Sequence, residues 1–223
     1  MKRCLVLLIL LGALFLCAAC TDTGPAEPTP APTASPSPVP PDTMPADTAA
    51  PGTTPPPGSA VPWVADGIIG ESEYDNSVTY SNGKMTIYWT NDPDVLYMAL
   101  RGEATGWVSI GFEPTTAMMD ADMLFGYVED GNAIVFDMNS TGPVGPHPPD
   151  TDLGGTSDIL ASGGSESDGI TIIEFSRLLN TGDTYDRTLI SGQTVKFIWG
   201  IGTTDSATFR HNVARGSGEL VLA

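Results

Sequence analysis

Short apolar runs follow one another through the C-terminal part of the chain, from Pro62 onward. The clearest are Lys84–Thr90 (KMTIYWT), Val95–Leu100 (VLYMAL), Trp107–Phe112 (WVSIGF), Asp122–Val128 (DMLFGYV), Ala133–Asp137 (AIVFD), Ile170–Phe175 (ITIIEF) and Thr194–Gly200 (TVKFIWG). They are rich in β-branched and aromatic residues and are separated by Gly, Asn, Asp and Pro, the pattern of short strands joined by turns. Ser81-Asn82-Gly83-Lys84 and Glu129-Asp130-Gly131-Asn132 centre on Asn-Gly and Asp-Gly, which accept the left-handed backbone of tight hairpins. The Gly154-Gly155 and Gly163-Gly164 pairs also read as turns, and Ser176–Asn180 as a single helical turn. No dozen residues sustain a helical period. The pattern predicts an all-β fold, an antiparallel β-sandwich of roughly nine to eleven strands.

Before residue 62 the pattern is different. Residues 1–20 carry Lys2 and Arg3, then an apolar stretch from Leu5 to Leu16, then Ala18-Ala19-Cys20. A basic start, a short apolar core and small residues make a secretory leader, too short for a comfortable transmembrane helix. Small residues directly before a cysteine resemble the lipobox of prokaryotic lipoproteins, which implies lipidation at Cys20 and a membrane anchor. An ordinary cleaved secretory signal or an uncleaved anchor is the alternative. Residues 21–61 contain 13 prolines and no aromatic residue. Such a chain buries too little apolar surface to offset its ordering entropy. It reads as an extended tether that would reach up to ~120 Å. The expected organisation is a leader over 1–20, a tether over 21–61 and one domain over 62–223.

Charge and cysteine content narrow the chemistry. The chain has 27 acidic and 9 basic residues, a net charge of −18. Four acids and two bases precede Pro62, which leaves 23 acids against 7 bases, or −16, in the domain. A surface this negative repels phosphate backbones, so nucleic acid is not an expected partner, whereas a basic docking face is. The three cysteines are Cys4, Cys17 and Cys20, so the domain has no disulfide, thiolate metal site, covalent haem motif or cysteine nucleophile. His147 and His211 are its two histidines, and a three-histidine metal site within one chain is excluded. Asn91-Asp92-Pro93-Asp94, Asp120-x-Asp122 and Asp150-Thr151-Asp152 group oxygen ligands suited to calcium, without EF-hand spacing. Asp120 and Asp122 also read as a carboxylate pair. No Gly-x-Ser-x-Gly or phosphate-cradling loop occurs.

Several segments, taken in order, resemble the DOMON domain family. They are Asp66-Gly67-x-Ile69 with Glu73-Tyr74, Leu96–Leu100 leading into Gly106–Phe112, Met118-Met119-Asp120-Ala121-Asp122, and Arg210-His211 with Ala214–Gly218. The resemblance covers essentially the whole domain. It implies a β-sandwich that binds either haem b or a sugar-like ligand. In haem-binding members a Met after the Gly-Trp strand and a His near the C-terminus are the axial ligands, here matching Met118 and His211, with Met119 as the neighbouring alternative. A Met/His pair suits haem iron and raises its potential. Trp107, Ile110, Phe112, Met123, Phe125 and Trp199 are candidates for the surrounding pocket, with Arg210 or Arg215 for a propionate. His147 reads as a loop residue, with an accessory ligand role as the alternative.

Two functions follow as expectations. The first is an extracytoplasmic, lipid-tethered b-type cytochrome domain that passes single electrons to or from a redox partner, not a stand-alone enzyme. The second is a haem-free module that binds carbohydrate or another small ligand through exposed tryptophans.

Overall fold

The computed structural model describes residues 63–223. The readings at Cys20, the leader and the tether lie outside the described residues. Ten strands are present: β1 Asn76–Tyr80, β2 Met85–Asn91, β3 Val95–Gly102, β4 Val108–Phe112, β5 Asp122–Glu129, β6 Asn132–Asn139, β7 Ile159–Ser167, β8 Ile170–Leu178, β9 Thr194–Ile201 and β10 Ala214–Val221. A single-turn helix, α1 (Asp150–Leu153), precedes β7. All pairings are antiparallel, in a first sheet ordered β1-β2-β3-β8-β7 and a second ordered β10-β9-β4-β5-β6. The fold is therefore the expected β-sandwich. Among the described residues no helix is long and apolar enough to cross a membrane.

Both predicted hairpins form: Asn82 and Gly83 turn β1 into β2, and Asp130 and Gly131 turn β5 into β6, all with positive φ. Two expectations are corrected. Ser176–Leu178 continue β8, where Ser176 pairs with Tyr97 and Arg177 with Leu96, so no helical turn forms there. Gly163 and Gly164 lie inside β7, not in a turn. The backbone of residues 65–67 crosses β7 at that point. A Cβ on Gly163 would fall within about 2 Å of the Ala65 carbonyl oxygen, so only glycine admits the crossing.

That crossing segment is fastened by the Asp-Gly motif. The N–H groups of Asp66 and Gly67 donate to Glu174 Oε2 at 3.0 and 2.6 Å, and the Tyr74 hydroxyl donates to Glu174 Oε1 at 2.7 Å. Glu174 is fully buried on β8, so these three bonds replace the water it lost.

Alternation along the strands of the second sheet separates its two faces. Val108, Ile110 and Phe112 of β4 and Leu124 and Val128 of β5 join the core between the sheets with Ile87, Leu100 and Phe175 of the first sheet. Met123 and Phe125 of β5 and Met138 of β6 instead form a second apolar cluster with Trp107 and Ala121, on the outer face. Lying between these two apolar layers, β4 is buried throughout, with the small Ser109 and Gly111 on its outer face.

Candidate functional site

The outer face of the second sheet is the floor of a cavity of about 710 Å³. That is within the roughly 300–1,000 Å³ typical of small-molecule sites. The floor carries Trp107, Phe125, Met123 and Ile198. Trp107 and Phe125 pack in a tilted pair with ring centroids 4.6 Å apart, and Phe125 stacks on His147 at 6.2 Å with an interplanar angle of 25°. Gly200 of β9 leaves the space between Trp107 and the loop beyond. A Cβ there would lie 3.1 Å from the Trp107 ring and 3.4 Å from His211 Cβ.

Loops from opposite ends of the sheet form the walls. The β4–β5 loop brings Met118, and the β6–α1 loop brings Pro143, Val144 and His147 from the same end. The β9–β10 loop brings Phe209, Arg210 and His211 from the other end, and Arg215 follows on β10. The first two loops are stitched together. Met118 N–H donates to the Pro143 carbonyl at 3.3 Å, Asp120 N–H to Ser140 at 2.8 Å, and Ser140 N–H to Ala121 at 3.0 Å. Within the β4–β5 loop Glu113, Ala117 and Asp120 all have positive φ. For non-glycine residues each such conformation costs about 1–3 kcal/mol and persists where surroundings enforce it, commonly at ligand sites.

Asp122 supplies part of that enforcement. Its two carboxylate oxygens accept from Arg177 Nη1 at 2.8 Å each, and Oδ2 also accepts from the Arg187 backbone N–H at 2.8 Å. Both partners of this ion pair are fully buried and it joins the sheets, β5 to β8. Arg187 Nη2 donates to the Asp120 carbonyl at 2.7 Å, bracing the same loop. Asp120 itself is exposed and accepts from Thr115 Oγ1 at 2.8 Å. The expected Asp120–Asp122 carboxylate pair is thus corrected: adjacent turns send one acid to solvent and the other into the core.

Around Arg177 lies a group of acids that sequence reading missed. Carboxylate oxygens of Asp122, Asp137 and Asp186 lie within 4.8 Å of one another, and Asp186 Oδ2 is 3.2 Å from Arg177 Nη2. Burial pushes Asp137 up to about 7, with Asp186 adding to the effect. Burial together with Asp137 and Asp186 pushes Asp150 up to about 8, and burial raises Asp186 to about 6 against the pull of Arg177. Burial alone would lower the Arg177 pKa, but Asp122, Asp186 and Asp137 raise it, so the guanidinium stays charged. Arg177 is the positive charge among these acids. The calcium reading gains no support from the three segments that prompted it. Asp92 caps its own turn by accepting from the N–H groups of Asp94 and Val95, Asp122 is held by Arg177, and Asp152 is exposed while Asp150 is buried.

Of the site residues expected from sequence, Met118, His211, Trp107 and Arg215 line the cavity, as do Met123, Phe125, Trp199 and Arg210. Met119 does not; its N–H and carbonyl are bonded inside the loop to Thr116 and Thr115. Phe112 and Ile110 are corrected to the core between the sheets, both fully buried, because their parity on β4 is opposite to that of Ser109 on the floor. His147, read as a loop residue, is on the loop and also lines the cavity. Among the described residues its Nδ1 is buried without a partner in another residue, and burial, with His211 nearby, lowers its pKa. His211 Nδ1 lies 3.3 Å from Arg215 Nη1. A guanidinium only donates, so a hydrogen bond here has Nδ1 as its acceptor.

A profile of the DOMON domain family matches residues 81–202. The chain belongs to the DOMON domain family. The matched region includes Met118 and ends before His211. The DOMON chain is 29% identical over 165 residues to DBH-like monooxygenase protein 1 of Mus musculus and 28% identical to the Homo sapiens protein of that name. Each match covers 73% of this chain and 26% of the relative, so the chain spans about a quarter of the length of the curated relatives it matches. Among solved structures, the cytochrome b domain of pyranose dehydrogenase from Coprinopsis cinerea is 16% identical with a TM-score of 0.48, covering 65% of this chain and 80% of that one. The cytochrome domain of Myriococcum thermophilum cellobiose dehydrogenase is 12% identical with a TM-score of 0.47, covering 66% and 81%.

Proposed function

We propose that this DOMON domain binds haem b non-covalently in the cavity, with Met118 and His211 as its axial ligands, and serves as an extracytoplasmic one-electron carrier. The supporting observation is the donor set. Met118 and His211 line one cavity from loops at opposite ends of the sheet, above a floor of packed aromatic rings. Thioether sulfur and imidazole nitrogen are both donors to haem iron. The imidazole of His147 on the cavity wall and the space left by Gly200 fit a cavity built around a bound group. When bound, the haem supplies a one-electron couple; filling both axial positions leaves no position for a substrate.

The residues of the chain do the rest. Trp107 and Phe125 exclude water from the floor. Arg210 and Arg215 are two of only seven cationic side chains in a domain of net charge −16, and both sit on the cavity wall, where they suit the anionic edge of a haem. Ligation would occupy one ring nitrogen of His211 and leave the proton on the other, so in neither case would Nδ1 accept from Arg215, whose guanidinium would be free for a carboxylate. The acidic surface favours a redox partner with a basic docking face, at a rate that falls with salt. The lipid anchor proposed at Cys20 would hold the domain at the outer side of a membrane. The carbohydrate-binding alternative relied on exposed tryptophans, whereas Trp89, Trp107 and Trp199 are 3–7% exposed.

The test is an absorption spectrum of residues 62–223 supplied with haem, before and after dithionite. A Soret band that shifts on reduction, with sharp α and β bands, is expected. A folded domain that takes up no haem would end this reading.

A further inference from the structure

We infer that His147 is a second imidazole donor of this cavity and competes with Met118 as the partner of His211; the inference rests on the haem reading above. Three observations carry it. First, Met118 and His147 enter from the same end of the sheet, on loops joined by the bond from Met118 N–H to the Pro143 carbonyl, whereas His211 enters from the other end. The two are therefore alternatives to one another and not to His211. Second, His147 is fixed in place. Its ring stacks on Phe125, and its loop is held by bonds from Thr141 N–H to Pro146 and from Asn139 N–H to Pro148. Third, His147 itself lines the cavity, and among the described residues its Nδ1 has no hydrogen-bond partner in another residue. With no neighbouring residue claiming it, the imidazole is available to a group bound in the cavity.

The two donors differ in softness. A thioether favours the reduced metal and an imidazole the oxidised one, and replacing a Met/His pair by two imidazoles lowers the potential. The cavity thus holds a choice of ligand that Met118 and His211 alone would not give.

The experiment uses the full chain loaded with haem, as the unsubstituted protein and as Met118→Leu, His147→Phe and the double substitution. Leucine conserves the volume of Met118, and phenylalanine keeps the ring stacked on Phe125. Met118→Ala and His147→Ala provide a second set if either of these perturbs folding, as judged by circular dichroism. The expected result is a low-spin, six-coordinate spectrum for Met118→Leu, without the near-infrared charge-transfer band of a thioether ligand and with a lower reduction potential. The double substitution is then expected to be high-spin. A high-spin Met118→Leu, indistinguishable from the double substitution while still binding haem, overturns the role of His147 and leaves the haem reading intact. Failure of the unsubstituted chain to take up haem overturns both.

Discussion

Two neighbouring regions of this domain handle polar groups in opposite ways. On the outer face of the second sheet, Met118, His147 and His211 are half-buried on loops around an apolar floor. Between the sheets, Asp122, Asp137 and Asp186 crowd around Arg177, the first two with 3% exposure or less. Adjacent residues belong to different regions: Asp122 points inward to Arg177 and Met123 outward to the cavity. Two-residue alternation lets one strand serve both. The buried charges hold the loops in strained conformations, and the loops present soft, uncharged donors. Stability and ligand chemistry are thereby separated by the thickness of a sheet.

Removing the shared anchor is expected to damage both regions. Asp122→Ala leaves Arg177 buried beside fewer acids, and breaking a buried pair from one side costs about 3–5 kcal/mol. Urea unfolding should register the loss, and haem uptake should fall with it. An unfolding midpoint within error of the parent would show that Arg177 has another adequate partner.

Substitution of His211 tests the opposite dependence. His211→Ala should abolish the low-spin spectrum, yet stability in the ligand-free state should change by no more than ~0.5 kcal/mol, as usual for a partly exposed side chain outside the core. Retention of the spectrum would remove His211 from the ligand set.

The acidic group also predicts how pH acts. Asp137, Asp150 and Asp186 have folded-state values of about 7, 8 and 6, above the ordinary 3.8. A raised carboxylate binds its proton more tightly when folded. Its contribution to stability is full below the unfolded value and is lost as pH rises through the folded one. The melting temperature should therefore fall between pH 5 and pH 9, by roughly 5–10 °C. Asp150→Asn should flatten that profile, and a melting temperature that rises over the range would refute the assignment.

Smaller effects are expected at the cavity. Gly200→Ala places a methyl group 3.1 Å from the Trp107 ring and should cost about 1–3 kcal/mol, with weaker haem binding by titration. Arg215→Gln should keep the low-spin spectrum and speed haem loss only about twofold to fivefold, since an exposed charge contributes ~0.5–1 kcal/mol. Haem loss unaffected by the substitution would assign the propionate contact to Arg210.

Legibility varied with how local the cause was. The seven strands predicted from apolar runs all form, because side-chain alternation and turn residues act over a few positions. β7 was hidden, since its ILASGGSES sequence is shaped by the chain that crosses it and not by core burial. Met118 and His211 were visible through family resemblance, and the structure brings both to one cavity. His147 was undervalued because nothing local marks a histidine among prolines as facing a pocket.

By itself the sequence determined the β architecture, the hairpins, the cysteine-free chemistry of the domain and its strong negative charge. These follow from residue identity and short-range pattern. The tertiary structure decided that Leu124 faces the core while Phe125 faces the cavity, a parity that a strand apolar on both sides does not reveal. It also decided that acids 15 to 64 residues apart in the chain, Asp122 with Asp137 and Asp186, share one buried cation. Burial and electrostatic coupling depend on distances across the fold, which close only when the two sheets pack.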